Sequence, residues 1–231
     1  MRKRSKLVAL LVAMVFMLSL VGTASAANFS DIANSEFKSS IMKLNALGVI
    51  DGYPDGTFQP DGKITRAEFA KFAVVIAGLK DAAEGMSDVK SPFSDVAAGQ
   101  WYTGWVNVAA AQGYVKGFEG MFRPNDNITQ QEVITVLLRL LGYNDNLAGE
   151  WPFDYLAKAT KLGILDDVKL AAALPATRGL VAKLSDEVIS QNTVDYKASD
   201  NVFEEKAKTL MQESFKDAEL LEDVYINNLN C

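Results

Sequence analysis

Apolar residues along this chain repeatedly fall at intervals of three and four. Phe37, Ile41, Leu44 and Leu47 form one such stripe, followed by Gly48. Trp101, Trp105, Val108 and Ala109 form a second before Gly113, and Tyr155, Leu156, Ala159 and Leu162 a third before Gly163. That spacing lines one face of a helix, and a glycine just past its end suits the left-handed residue that closes it. After each stop come a loop and a second helix start, at Ile64-Thr65-Arg66-Ala67-Glu68-Phe69, at Ile128-Thr129-Gln130-Gln131-Glu132-Val133 and, in worn form, at Thr177-Arg178-Gly179-Leu180. Each unit is therefore helix, loop, helix, and neither helix can bury its apolar face alone. Closure by packing of the second helices predicts an all-α fold of three tandem repeats. Beyond a polar break at residues 190–200, Val202, Ala207, Leu210, Met211, Phe215 and Leu221 predict one further amphipathic helix.

The repetition extends to the loops. Gly52-Tyr53-Pro54-Asp55-Gly56-Thr57-Phe58-Gln59-Pro60 returns 64 residues later, weakened, as Gly117-Phe118-Glu119-Gly120-Met121-Phe122-Arg123-Pro124. Phe29-Ser30-Asp31-Ile32 opens the first unit and Phe93-Ser94-Asp95-Val96 the second. In the third, Trp151 opens the unit and Asp166-Asp167-Val168-Lys169 replaces the Gly-Tyr-Pro-Asp-Gly turn. The polar, Gly- and Ser-containing stretch from Lys80 to Pro92 reads as a surface linker.

The start of the chain carries an address. Arg2, Lys3, Arg4 and Lys6 precede an apolar run from Leu7 to Val21 and the small residues Ala24-Ser25-Ala26, the pattern of a cleaved export signal over residues 1–26. Removing it and its four cations takes the formal charge from −6 to −10, which argues against a nucleic-acid partner. The one cysteine, Cys231, rules out a disulfide framework, so the 49 % of hydrophobic residues must supply the stability. No stretch after the leader is apolar enough to span a membrane. With no histidine in the chain, the commonest general base and metal ligand is missing. Residues 51–62 superficially resemble a calcium loop, but Tyr53 and Gly62 stand where an acidic ligand and a bidentate Glu are required. Neither a metal, a cofactor nor a catalytic centre is expected.

The second helix starts carry the candidate chemistry. Thr65 with Glu68, and Thr129 with Glu132, have the capping-box spacing, in which hydroxyl and carboxylate satisfy end amides. Arg66 is not needed for that cap, and a cation there faces the positive end of the helix dipole. Two explanations stand. Arg66 pairs with a nearby acid such as Asp61, or its planar fork, beside free helix-end amides, receives an external carboxylate. The second unit has Gln130 at this position; the third keeps Arg178 but loses the Glu. Aligning on Asp31 and Asp95 makes Phe37, Trp101 and Trp151 equivalent, either as core residues or as an aromatic platform. Asp31 and Asp95 are helix caps or ligand contacts, and Tyr53 belongs to a turn that could line a groove.

Phe-Ser-Asp-Ile/Val, Gly-Val-Ile-Asp-Gly-Tyr-Pro-Asp-Gly-Thr-Phe-Gln-Pro and Ile-Thr-Arg-Ala-Glu-Phe-Ala resemble the signature segments of the S-layer homology (SLH) family over about residues 28–190. The resemblance implies three repeats, 27–80, 93–145 and a degenerate 146–190, closing as a pseudo-three-fold bundle, with 81–92 as linker and 191–231 as a tail or the start of a further domain. It implies a non-enzymatic module that anchors an exported protein at the cell wall or S-layer by holding secondary cell-wall polymer, a peptidoglycan-linked glycan bearing pyruvylated sugar, in grooves between repeats. Other S-layer subunits are further candidate partners. Arg66, Trp101, Gln100, Arg178, Phe37 and Tyr53 are the ligand-binding candidates it implies, with Trp101 and Gln100 near Arg66 and Phe37 near Arg178. Two alternatives remain: a wall-associated enzyme whose catalytic part lies beyond residue 231, and a structural S-layer component assembling through its tail.

Overall fold

The structure, a computed structural model, describes residues 29–215. The export signal, Leu221 and Cys231 lie outside the described residues. The first repeat contributes α1 (Lys38–Ala46) and α2 (Arg66–Ile76), joined to the second by α3 (Lys80–Glu84). The second contributes α4 (Thr103–Ala111) and α5 (Gln130–Leu140), and the third α6 (Phe153–Lys161) and α7 (Arg178–Ile189). Strands β1 (Asn192–Lys197) and β2 (Val202–Thr209) and helix α8 (Leu210–Ser214) follow. The fold is thus mostly helical with a small antiparallel sheet.

Local chemistry sets the helix ends. Gly48, Gly113 and Gly163 have φ of 69°, 74° and 75°, the left-handed conformation that ends a helix without a Cβ penalty. Thr65 and Thr129 form complete capping boxes with Glu68 and Glu132. Thr177 accepts from the Leu180 N–H, but Leu180 cannot return a bond, so α7 has half a box.

The repeats interlock rather than stand side by side. The first helix of each packs on the second helix of the repeat before it: α4 on α2, α6 on α5, and α1 on α7, which joins the ends of the array. The backbone follows the same circuit. Ile128 N–H donates to Ile64 O (3.1 Å), Ala176 N–H to Ile128 O (2.8 Å) and Ile64 N–H to Ala176 O (3.3 Å). The first two amides of each second helix reach the loop of the next repeat. Arg66 and Ala67 donate to Asp126 O and Pro124 O, Gln130 and Gln131 to Leu174 O and Ala172 O, and Arg178 and Gly179 to Gly62 O and Pro60 O, all at 2.8–3.0 Å. Helix-end donors, which otherwise need a cap or water, here tie the repeats together. Ile41, Leu44, Phe69, Ile76, Val106, Leu137, Leu138, Tyr155, Leu184 and Val188 fill the core within this circuit.

Two segments differ from the sequence expectation. The stretch expected as a surface linker contains α3, which packs on α4 with Ala83 buried, and the Asn107 amide donates to Val89 O at 2.9 Å. Its polar composition hid the apolar packing of Ala83 and Met86. The tail expected to be helical from Val202 is instead a hairpin, with Tyr196 opposite Phe203 and Asp195 opposite Glu204. Glu, Lys and Ala in 202–209 favour a helix, but tertiary contacts override so weak a preference. Phe203 stacks near both Tyr143 (5.1 Å) and Tyr196 (5.0 Å), and Val194 N–H donates to Leu141 O (2.7 Å). A helix begins only at Leu210, where Thr209 and Gln212 form a capping box.

Candidate ligand-binding grooves

The interlocking repeats leave three related grooves. Each is lined by the Arg-or-Gln position of one repeat, the loop of the next, and the opening aromatic of the one after. Arg178 faces the loop at Asp51-Gly52-Tyr53, together with Glu68, Lys71 and Trp101, around a cavity of about 340 Å³. Arg66 faces Lys116 and Phe122, with Glu132, Thr135 and Trp151, around about 320 Å³. Gln130 faces Val168 and Lys169, with Leu180, Lys183 and Phe37, around about 410 Å³.

This grouping corrects the expected pairing. Trp101 lines the groove of Arg178, not that of Arg66; Trp151 lies with Arg66, and Phe37 with Gln130. Gln100 is not part of the lining of the Arg178 groove; its backbone N–H donates to Thr103 Oγ1 (3.1 Å). The physical reason is the interlock. An opening loop is carried by the first helix of its repeat, and that helix packs one repeat back, so the aromatic arrives one groove away from where chain order suggests. Tyr53 does meet Arg178, whose guanidinium lies 4.7 Å from the tyrosine ring centre and 4.5 Å from that of Phe58.

Trp101 and Trp151 are exposed by 58 % and 50 %, so neither is a core residue. Trp151 Nε1 donates to Thr135 Oγ1 at 3.0 Å. Phe37 is half-buried, its ring seated on Gly179 so closely that a Cβ there would lie 2.2 Å from Cδ2. The departure from Ala to Gly in the third repeat is explained by that contact.

Both arginines use Nε in the same way, donating to a loop carbonyl: Arg66 to Phe122 O and Arg178 to Phe58 O, each 2.8 Å. They differ beyond that bond. Arg66 is 8 % exposed, and its NH1 pairs with Glu132 Oε1 at 2.5 Å. Its acid partner is therefore across the repeat boundary, not the neighbouring Asp61. Arg178 is half-buried, donates its NH2 to Asp51 O (3.1 Å), and has no carboxylate within ion-pair distance among the described residues. Gln130 keeps the brace with reversed polarity, its Oε1 accepting from Ala171 N–H at 2.8 Å.

The expected cradle of free amides at these helix starts is not present. The amides of residues 66 and 67, 130 and 131, and 178 and 179 are committed to neighbouring loops, and the third is held by the threonine cap. An anion in a groove would meet side chains, not a helix end.

Asp31 and Asp95 are loop braces rather than caps or groove residues. Asp31 accepts from Phe58 and Gln59 N–H (2.8 and 2.7 Å), and Asp95 from Phe122 and Arg123 N–H (2.8 and 2.7 Å). Gln59 and Arg123 have φ of 58° and 60°, so each carboxylate holds a residue in a conformation that non-glycine residues seldom adopt. The corresponding third-repeat residue is Asp145, in Tyr143-Asn144-Asp145, and it has been redirected. It meets Lys116, accepts from Arg139 (2.8 Å) and from the Tyr155 hydroxyl (2.8 Å). Although burial opposes it, these hydrogen bonds hold the Asp145 carboxyl well below the usual carboxylate range. Burial, aided by the Asp145 charge, pushes the Tyr155 hydroxyl up to about 12. The spacing of Asp145 from Trp151 matches that of Asp95 from Trp101, a signal that could have located it from sequence.

Comparison with known proteins agrees with the first two repeats. Residues 28–70 and 92–134 match the S-layer homology domain. The chain is 34 % identical over 157 residues to the middle cell wall protein of Brevibacillus brevis, covering 68 % of this chain and 15 % of that protein. It is 32 % identical over 200 residues to a cell surface protein of Thermoanaerobacter kivui, covering 85 % of this chain and 26 % of that one. It is 34 % identical over 122 residues to the cellulosome-anchoring protein of Acetivibrio thermocellus, covering 52 % and 27 %. The chain thus spans about a quarter or less of the length of these relatives.

Proposed function

From a chain that belongs to the S-layer homology family through its domains at 28–70 and 92–134, we propose a non-catalytic module that anchors an exported protein at the bacterial cell wall. The circuit of helix pairs and the ring through Ile64, Ile128 and Ala176 support a pseudo-three-fold arrangement in which 27–80, 93–145 and 146–190 are the three repeats. The ligand in this reading is secondary cell-wall polymer carrying an acidic, pyruvylated sugar.

One observation carries the choice of groove: Arg178 lies over Tyr53 without a carboxylate partner, in a cavity it shares with exposed Trp101. Its fork is braced through Nε and NH2, so it is oriented in advance, and it suits a planar carboxylate. Lys71 adds a second cation on the same wall, and Trp101 offers an apolar face for the ring of the sugar. In the Arg66 groove the guanidinium is already neutralised by Glu132. The Gln130 groove lacks the guanidinium.

The test is co-sedimentation of residues 27–231 with purified sacculi, before and after acid extraction of the polymer. Binding is expected to need the polymer, to be lost in Arg178→Gln and to fall about tenfold in Trp101→Ala. Retention on extracted sacculi, or undiminished binding by both variants, would overturn the assignment.

A further inference from the structure

Beside the Arg66 groove lies a larger cleft, of about 620 Å³, between the β1–β2 hairpin and the end of α5. The two share a wall: Lys116, Arg139 and Asp145 line both. The shared wall is built by the redirected Asp145, the residue that in the other two repeats turns inward to brace its own loop. The hairpin is held firmly over the cleft by the Val194–Leu141 hydrogen bond and by Phe203 against Tyr143.

The charges of the cleft decide what it can take. Its six charged side chains are all ion-paired: Lys116 and Arg139 with Asp145, and Lys206 with Asp195 (3.3 Å) and Glu213 (3.5 Å). In the adjoining groove Arg66 is likewise paired with Glu132. An anion entering would have to displace an internal carboxylate. Sugar hydroxyls need no such exchange, since paired ions retain spare donors and acceptors for neutral groups. Tyr114 and Tyr196 add aromatic surface to the cleft.

We propose that this cleft is a carbohydrate subsite for uncharged sugar units, continuous with the Arg66 groove, so that one glycan strand runs from Trp151 past Asp145 to the hairpin. The assignment rests on the anchoring reading and adds a second, charge-neutral path to the acidic site at Arg178. The two sites would then divide the polymer between them, the Arg178 groove holding an acidic unit and the hairpin path the neutral units between.

The test is calorimetric titration of residues 27–231, with Arg178→Gln to silence the acidic site. The probes are wall-polymer fragments stripped of acidic substituents by mild acid and fractionated to one or three repeating units. The longer fragment is expected to bind about tenfold more tightly, the gain of one further seated sugar. Gln112→Trp, which obstructs the cleft from an exposed position, and Tyr196→Ala, which removes hairpin surface, should each abolish that gain and leave the one-unit fragment unaffected. Equal affinity for both lengths, or a gain that survives in both variants, overturns the subsite. Intact acidic polymer, titrated into the unsubstituted chain, separates the two readings. If it binds while stripped fragments do not, the neutral path falls and anchoring stands; if nothing binds, both fall.

Discussion

Arg66 and Arg178 occupy the same position after a capping threonine, brace the same loop carbonyl and lie against equivalent phenylalanines, yet they face different environments. The difference comes from a third residue. The repeat facing Arg66 supplies Glu132, whose second oxygen serves the cap of α5 while the first takes the guanidinium. The repeat facing Arg178 supplies Glu68, which serves its own cap and makes no ion pair with Arg178 within 4.0 Å. One arginine is thereby a buried part of the scaffold and the other a cation held in position with unused capacity. Identity of motif does not ensure identity of role; the neighbour across the boundary decides.

The largest test of this contrast is stability. Arg66→Ala should cost about 2–3 kcal/mol in denaturant unfolding, because it leaves Glu132 and the Phe122 carbonyl without their partner in a mostly buried setting. Arg178→Ala should cost about 1 kcal/mol, the loss of carbonyl bonds alone, while removing most wall retention. Equal stability losses would erase the distinction. Next in size, Trp101→Ala should cut sedimentation with sacculi about tenfold, as expected for a lost stacking face, with unfolding almost unchanged. Trp151→Ala should instead show a stability loss of about 1 kcal/mol through the Thr135 bond. Of similar size, Thr65→Ala should destabilise by about 1 kcal/mol, and Thr177→Ala by less, since of the two only Thr65 has a reciprocal Glu.

The smallest effect is pH dependence at the Arg66 side. Asp145 has a folded-state carboxyl below its ordinary range, so the unfolded chain binds its proton first as pH falls. Its contribution is complete above the usual carboxylate range and is lost as pH drops through and below it. Asp145→Asn should therefore flatten the acid limb of the stability curve from urea unfolding across that window. The Arg178 groove, with no such pair, should be indifferent to the substitution.

Much of the fold was legible because it is local. Helical stripes, glycine stops and both capping boxes are written within a few residues of one another, and the structure has them where the spacing put them, except that Trp101 lies before α4 and is exposed. Non-local features were not legible in this way. Glu132 is 66 positions from Arg66, and nothing along one dimension distinguishes it from Asp61 as a partner. Chain order sets Trp101 beside Arg66, because it says which repeat follows and not which helix it leans on; the structure has Trp101 in the Arg178 groove. The hairpin was obscured by a Glu-, Lys- and Ala-rich strand whose packing on Tyr143 and Tyr196 overrode its helical preference. Asp31 and Asp95 look the same as caps in sequence; only the closed loop shows that they hold Gln59 and Arg123.

The three-bond circuit through Ile64, Ile128 and Ala176 has a consequence for timing. Ile64 finds its carbonyl 112 positions later in the chain, so the first repeat cannot complete its backbone pairing until the third has been released. Such long-range closure slows folding, since distant segments must meet before their contacts repay the entropy of joining them. An assembly whose last hydrogen bond waits for its last repeat delays its own compaction, and its first repeat closes only when the third is at hand.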